Sequence, residues 1–553
     1  MQRSRLRTAI ALTAIAALAV GAAGCAESKR EESKGDKSKD KTLIFGTAGE
    51  PKVLDPSLAT DGETYRVPRQ VLETLIGNEL GSAKLVPRLA EKWSVNAEGT
   101  VWTFNLREKV KFHDDTDFNA EAVCANFDRW HNYSGLFQNV AEYWLDTFGG
   151  FAKNESATAP ASNYKGCKAT DAKTAVLTLN KSTSRLPGAF TLPAFSIQSP
   201  KAIAAYASDK MEGTAANLTY PKYALEKMVG TGPFKLDGWD RANKRVTMSR
   251  YDGYWGDKAK IAKLVFRAIP DENARRQALE ANEIQGYDLV APADVPKLKE
   301  AKFNVPARDP FNVLYLGIGQ DNPKLADVRV RQAIAYAVDR EALVKSKLPA
   351  GAKVADQFMP DSVEGYSPDV KKYPRDVNKA KSLLAEAGAT GLEVKFYYPT
   401  EVTRPYMPSP KDIFEIVKGG LEEAGFKVTP VPEKWSPTYL DDVRAGKPDL
   451  WLLGWTGDYN EGYNFAGTFF GRPKAEWGFN NAEIFGALAK VDAEPDRDKR
   501  IAQYKEINKQ LMEFLPGLPL SSSPPSLAFA KNVTGVKASP LTDEKFFTAE
   551  FTS

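Results

Sequence analysis

Residues able to do covalent or metal chemistry are few in this chain. Its 553 residues include two histidines, His113 and His131, so both the commonest general base and the commonest metal ligand are scarce. His113 stands in KFHDD after a strand-like run, where a ring nitrogen can bond a turn, and His131 falls near the end of an amphipathic helix. Both are read as structural. A phosphate-binding loop is missing, because Gly446-Lys447 is followed by Pro448 where Ser or Thr is required. The short pairs GTG at Gly230 and GIG at Gly317 lack the third glycine of a dinucleotide turn. No nucleophile stands out with a base to activate it, so neither catalysis nor a metal or other cofactor is expected. What remains is recognition by charges and by rings, of which the chain has 28 Phe, 21 Tyr and 10 Trp.

The N-terminus reads as an export signal over residues 1–24. Arg3, Arg5 and Arg7 precede an apolar run from Ala9 to Val20, and the small residues Ala22, Ala23 and Gly24 lead to Cys25. A cysteine after such a site resembles the lipobox of bacterial lipoproteins, with Ala22 where Leu is usual, and marks Cys25 for acylation. Residues 26–41 are mostly Ser, Lys, Glu, Asp and Gly with no large apolar side chain, so 25–40 is expected to be a flexible tether from that anchor. No later segment offers the ~20 apolar residues of a membrane helix. Without the three leader arginines the 75 basic residues become 72 against 71 acidic, a balance that argues against nucleic acid as a partner. Cys124 and Cys167 are then an even pair in an oxidising compartment, expected to form a disulfide worth about 3–4 kcal/mol, with two buried thiols as the alternative.

The elements that position loops are clearest in the second half. Lys41 to Phe45 reads as a first strand, followed by a Gly/Pro-rich loop to Thr60, Asp61 and Gly62. Val101 to Leu106 alternates as a half-buried strand should, and Phe118 to Tyr133 takes helical spacing behind Asn119 as N-cap. Strands at Thr174 to Leu179, Arg245 to Ser249 and Lys263 to Ile269 make the first half mixed α+β. One long helix is expected from Asp327 to Val344, and another from Asp376 to Gly388. Then come strand Leu392 to Tyr398, helix Ile413 to Ala424, strand Phe426 to Val431, a short helix capped by Ser436 with Pro437 first, and strand Asp449 to Trp455. Three strands joined by two helices predict a parallel, doubly wound α/β sheet, whose ligands bind beyond the carboxyl ends of the strands. That rule selects two loops, Pro399 to Pro410 and Thr456 to Tyr463.

An ordered series of segments then resembles one family. LVPRLAEKWSVNAEGTVWTFNLREKVKFHDD from Leu85, GTGPFKLDGWD from Gly230, YDGYWGD from Tyr251, DVRVRQAIAYAVDRE from Asp327 and GWTGDYNEGYNF from Gly454 are similar to the extracellular solute-binding proteins of family 5, the dipeptide, oligopeptide and nickel-binding group. The resemblance implies a two-lobed, class II periplasmic-binding-protein-like fold. Lobe 1 would take 41–308 plus 521–553, with an inserted subdomain at about 65–181, and lobe 2 would take 309–520. It implies a monomer, lipid-anchored on the outer face of the cytoplasmic membrane, that closes on a short peptide and passes it to the permease of an ABC importer. At the site it implies Asp458, in GWTGD, on the peptide ammonium and Arg404, in RPY, on its carboxylate, both in the loops already selected. It also implies Trp435, Tyr406 and Trp455 as walls, and Thr60, Asp61 and Gly62 as contacts from the first lobe. The Asn460-Glu461-Gly462-Tyr463 run is closer to the oligopeptide binders and leaves ligand length open. Turn and surface roles for Asp458 and Arg404, and core roles for the tryptophans, are the alternatives. Relatives that bind cello-oligosaccharides, haem, opines or nickel chelates supply the rival ligands, and a chemoreceptor partner or surface adhesin fits the same cleft.

Overall fold

The computed structural model describes residues 41–157, 159–206, 210–214 and 217–552, with the backbone alone at residues 436 and 437. The expected leader, Cys25 and the whole tether lie outside the described residues. Among the described residues no helix is long and apolar enough to cross a membrane.

Two six-stranded sheets organise the chain. In spatial order the first comprises Phe234–Asp240, Arg245–Arg250, Lys263–Ala268, Thr42–Thr47, Gly286–Tyr287 and Ala528–Phe529. The second runs Lys353–Val354, Gly517–Ser522, Asn312–Ile318, Leu450–Thr456, Glu393–Thr400 and Lys427–Lys434. A four-stranded antiparallel sheet of Ala90–Val95, Val101–Leu106, Thr174–Leu179 and Tyr164–Asp171 carries a third core, which also draws on Val53, Leu58 and residues 186–197. The chain passes from the first sheet to the second before Asn312 and returns after Ser522. Burial follows the pattern of the side chains. In Val101–Leu106 the residues Trp102, Phe104 and Leu106 are buried while the alternate three are half-buried.

The predicted parallel trio forms: Glu393–Thr400 pairs in parallel with both Lys427–Lys434 and Leu450–Thr456. The doubly wound expectation needs correction around it, because Leu450–Thr456 pairs antiparallel with Asn312–Ile318, which pairs antiparallel with Gly517–Ser522. All seven residues of Asn312–Ile318 are buried, so the run NVLYLGI has no polar alternation to announce a strand. The connecting helix Pro410–Ala424 starts with its proline in the first turn and stops at Gly425, which takes φ +102° as a left-handed cap. The next helical segment begins at Trp435 as a wide turn to Tyr439 and continues as Leu440–Arg444, one residue ahead of the expected Ser436 cap.

The single helix expected from Asp327 to Val344 is two. Val328–Ala337 ends with Val338 in extended geometry, and Asp339 then caps Arg340–Lys347 by accepting the Ala342 N–H at 2.8 Å. An Asp carboxylate that can satisfy a free helix N–H makes a new start as favourable as continuation. Elsewhere the caps stand where expected: Asn119 accepts from Ala122 at 2.8 Å and Asp376 from Lys379 at 2.9 Å. Cys124 and Cys167 are joined in a disulfide with Cα atoms 5.1 Å apart, tying the helix Ala120–His131 to the strand Tyr164–Asp171. His113 bonds the chain at 230–232, its Nε2 lying 2.9 Å from the Gly232 carbonyl, and burial pushes its pKa down to about 4.

Candidate functional site

The loop that follows Leu450–Thr456 is built before it meets any ligand. Gly457 donates to the Phe311 carbonyl at 2.9 Å, and the amide oxygen of Asn464 accepts from the Asp458 N–H at 2.8 Å and the Trp455 indole at 3.3 Å. Asp458 is therefore held by its backbone with its carboxylate directed across the molecule. There the Tyr143 hydroxyl donates to Oδ2 at 2.7 Å, from the helix Glu142–Phe148. Burial raises the Asp458 pKa to about 6, against the Tyr143 and Asn464 side chains, which favour the ionised form. Tyr143 is buried, and the Tyr65 ring packs on it at 5.9 Å between centroids. Glu461, later in the same loop, is pushed by burial to about 7, with the Arg500 guanidinium 3.7 Å away.

The second loop follows Glu393–Thr400. Arg404 and Met407 exchange backbone hydrogen bonds at 3.1 and 3.0 Å, which closes a tight turn around Pro405 and Tyr406. The Arg404 guanidinium lies 4.3 Å over the Trp435 ring, while its Nε is buried without a hydrogen-bond partner. No carboxylate among the described residues forms an ion pair with it. Tyr406 is buried against Gly454, where a Cβ would come within 2.6 Å of the ring, so the neighbouring strand must be bare at that point. Trp435 is half-buried and stacks on Tyr439 at 6.0 Å, and Trp455 meets Phe469 edge-on at 6.3 Å.

The first-sheet contribution has a different character. Asp61 caps the helix Gly62–Arg66, accepting from the Thr64 N–H at 2.9 Å and the Thr64 hydroxyl at 2.7 Å. Its carboxylate is already partnered, whereas Thr60 and Gly62 are exposed and open space surrounds Gly62. The structure thus groups Arg404 with Tyr406 and Trp435 and, through Asn464, Asp458 with Trp455, while the Asp61 carboxylate bonds Thr64 rather than either group. Tyr143 and Asn464 were not anticipated. Asn464 lies inside the GWTGDYNEGYNF segment and could have been suspected from it, but Tyr143 is 315 residues from its partner and carries no local signal.

A seam joins the two groups of elements beside this site. Asp492, on the helix Ala482–Ala493, accepts from the Thr183 hydroxyl at 2.8 Å, the Ser184 hydroxyl at 3.2 Å and Arg185 at 3.0 Å. Arg185 also lies 4.1 Å over the Tyr463 ring, and the Tyr459 ring is buried in the core of the four-stranded sheet against Gly188.

The whole arrangement has relatives. Residues 84–477 match the family described as bacterial extracellular solute-binding proteins, family 5. The chain is 30% identical over 521 residues to a dipeptide-binding protein of Escherichia coli, covering 92% of this chain and 94% of that one. It is 27% identical over 523 residues to heme-binding protein A of Haemophilus influenzae, covering 92% of each. A periplasmic binding protein of Helicobacter pylori, solved in complex with the peptide STSA, superposes with a TM-score of 0.77 at 23% identity, covering 94% of this chain and 99% of that one. The fold is accordingly the two-lobed, class II architecture of periplasmic binding proteins. With the family model spanning most of its length, the chain belongs to the bacterial extracellular solute-binding proteins of family 5, and it is a binding protein of solute transport rather than an enzyme.

Proposed function

We propose that this protein captures a short peptide between its lobes and delivers it to the permease of an ABC importer, held at the outer face of the cytoplasmic membrane by acylated Cys25. The observation that carries the peptide reading is a matched pair of opposite charges at the carboxyl ends of parallel strands. Arg404 is a guanidinium with no ion-pair partner among the described residues, and Asp458 is a carboxylate fixed by its loop. A guanidinium fork suits a terminal carboxylate, and a carboxylate suits an ammonium, so the two ends of a zwitterion have complementary hosts. A neutral sugar would need neither charge. The dipeptide-binding relative supports the same ligand class. Lobe 1 would comprise 41–308 and the C-terminal segment, lobe 2 the second sheet with its helices, and the subdomain inserted at about 65–181 would supply Tyr143. Thr60, Asp61 and Gly62 would meet the ligand through their backbone, since the Asp61 carboxylate caps its own helix.

Calorimetry with alanyl-alanine, its N-acetyl form and its C-terminal amide tests the assignment. Truncating one member of a desolvated charge pair costs about 2–5 kcal/mol, or roughly 30-fold to several thousand-fold in affinity. Asp458→Asn should narrow the gap between free and N-acetylated dipeptide, and Arg404→Gln the gap between free and amidated dipeptide. Equal losses for every ligand would refute the roles given to both residues. Tight cello-oligosaccharide binding, insensitive to both changes, would replace the peptide reading with a sugar one.

A further inference from the structure

We propose that Tyr143 is a positioning residue for the ligand's amino terminus: its hydroxyl holds Oδ2 of Asp458 and so fixes the plane in which that carboxylate meets an ammonium. The inference rests on the peptide reading of Asp458. The hydrogen bond spans 2.7 Å and joins two loops' worth of distant chain, the helix Glu142–Phe148 on one side and the loop after Leu450–Thr456 on the other. Tyr143 has little freedom to do anything else. Its ring is buried, the Tyr65 ring backs it, and the Tyr65 hydroxyl is itself committed to the Ala59 carbonyl. A buried phenol needs a partner, and a carboxylate is the strongest one at hand. The Asn464 side chain pins the Asp458 backbone and also favours its ionised carboxylate, while Tyr143 is the donor that reaches Oδ2 from another part of the chain.

The charged surroundings of Asp458 come from four elements. Tyr143 and Asp146 face it from the helix Glu142–Phe148, Tyr65 from the helix Gly62–Arg66, Arg69 from Pro68–Val71, and Tyr459 from its own loop, which also carries Glu461. Burial raises the carboxyl, Asp146 adds to that, and the Tyr143 hydrogen bond and Arg69 oppose it. Proton and ligand ammonium compete for the same group, so free-dipeptide binding should weaken as pH falls through the Asp458 pKa of about 6. Removing the phenolic hydroxyl removes a donor that favours the ionised form, which moves that midpoint upward.

The experiment is calorimetry of alanyl-alanine and N-acetyl-alanyl-alanine on the parent, Tyr143→Phe and Tyr65→Phe, from about pH 5 to pH 8. Phenylalanine keeps the ring packing. The expected result for Tyr143→Phe is a rise of about one pH unit in the midpoint for the free dipeptide, with the N-acetyl curve unmoved. Tyr65→Phe should leave the midpoint in place, because its hydroxyl serves Ala59 rather than Asp458. An unchanged midpoint in Tyr143→Phe, or equal losses for both ligands, overturns the proposal while leaving Asp458 as the ammonium host. A parent that does not distinguish the two ligands at any pH refutes that host role first, and this proposal with it.

Discussion

Glu544→Gln should destabilise the protein far more than the loss of one carboxylate suggests, because its partner is a guanidinium with no access to water. Arg308 is fully buried and binds Glu544 through two contacts, Nε to Oε1 at 2.7 Å and Nη2 to Oε2 at 3.0 Å. Its third contact is Asp288 at 2.7 Å, and Asp288 in turn accepts from Arg66 at 2.5 Å. This network joins the C-terminal segment to the helix Gly62–Arg66, at whose start the Thr60 to Gly62 loop sits. An amide in place of Glu544 keeps the shape but turns an N–H towards Arg308, leaving a desolvated cation short of an acceptor. Breaking such a pair costs about 3–5 kcal/mol, whereas an exposed bridge is worth about 0–1. The unfolding entropy of roughly 500 residues is about 1 kcal/mol per degree, so the expected fall in Tm is about 3–5 °C, and about twice that if the lobe containing the network melts alone. Differential scanning calorimetry of Glu544→Gln beside Glu550→Gln, whose partner Lys260 lies 2.8 Å away at the surface, measures it. Equal shifts in the two variants would refute the reasoning. The pH dependence has a fixed sign. Burial pushes the Asp288 carboxyl up, but Arg308 and Arg66 outweigh it and hold the pKa well below the usual carboxylate range. The stability this supplies is complete above the unfolded value near about 4, and it is lost as pH falls from there through the folded value.

Two further predictions concern closure and anchoring. Asp492→Asn, which removes the Arg185 ion pair of the seam but touches no proposed ligand contact, should cost about 1–2 kcal/mol and speed dissociation of free and N-acetylated dipeptide alike by about five- to thirty-fold; stopped-flow rates that differ between the two ligands would contradict it. Cys25→Ser in the exported full-length chain should release the protein into the medium, and a Ser variant that fractionates with membranes like the parent would remove the anchor.

What could be read from the sequence was local. Caps at Asn119 and Asp376, the alternation of Val101–Leu106 and the strand–helix–strand repeat from Glu393 to Thr456 are all written in neighbouring residues, and the structure carries each of them. The repeat in turn located both loops that hold Arg404 and Asp458. Legibility ended where long-range pairing decides. Asn312–Ile318 is buried on both faces and shows no period, and its antiparallel place between Leu450–Thr456 and Gly517–Ser522 depends on chain about 130 and 200 residues away. V-D-R-E at Asp339 is compatible with a helix interior as well as a helix start, so the break between Val328–Ala337 and Arg340–Lys347 is not written in those residues alone. Tyr143 marks the limit most clearly, since nothing in EYWLDTF tells which of its rings will face a carboxylate.

The loop after Leu450–Thr456 carries two functions at once, and this bears on how affinity and closure relate. Asp458 is the proposed ammonium host, while one residue on Tyr459 inserts its ring into the other core, and Tyr463 lies under Arg185 of the seam. A ligand shifts a two-state equilibrium only by its differential affinity for the two states. Contacts with Asp458 alone would bind equally well however the lobes stand. Tyr143 would change that if its hydrogen bond to Asp458, which joins residues 315 apart in the chain, forms only when the lobes close. On the proposed roles, a peptide ammonium would then meet an oriented carboxylate in the closed arrangement and a differently held one outside it, which would give the ligand the differential affinity that closure requires. By the same reasoning Asp492 acts on the equilibrium without sensing the ligand, so seam and anchor should contribute additively to affinity, and a double variant of Asp492 and Asp458 should lose the product of the two single losses.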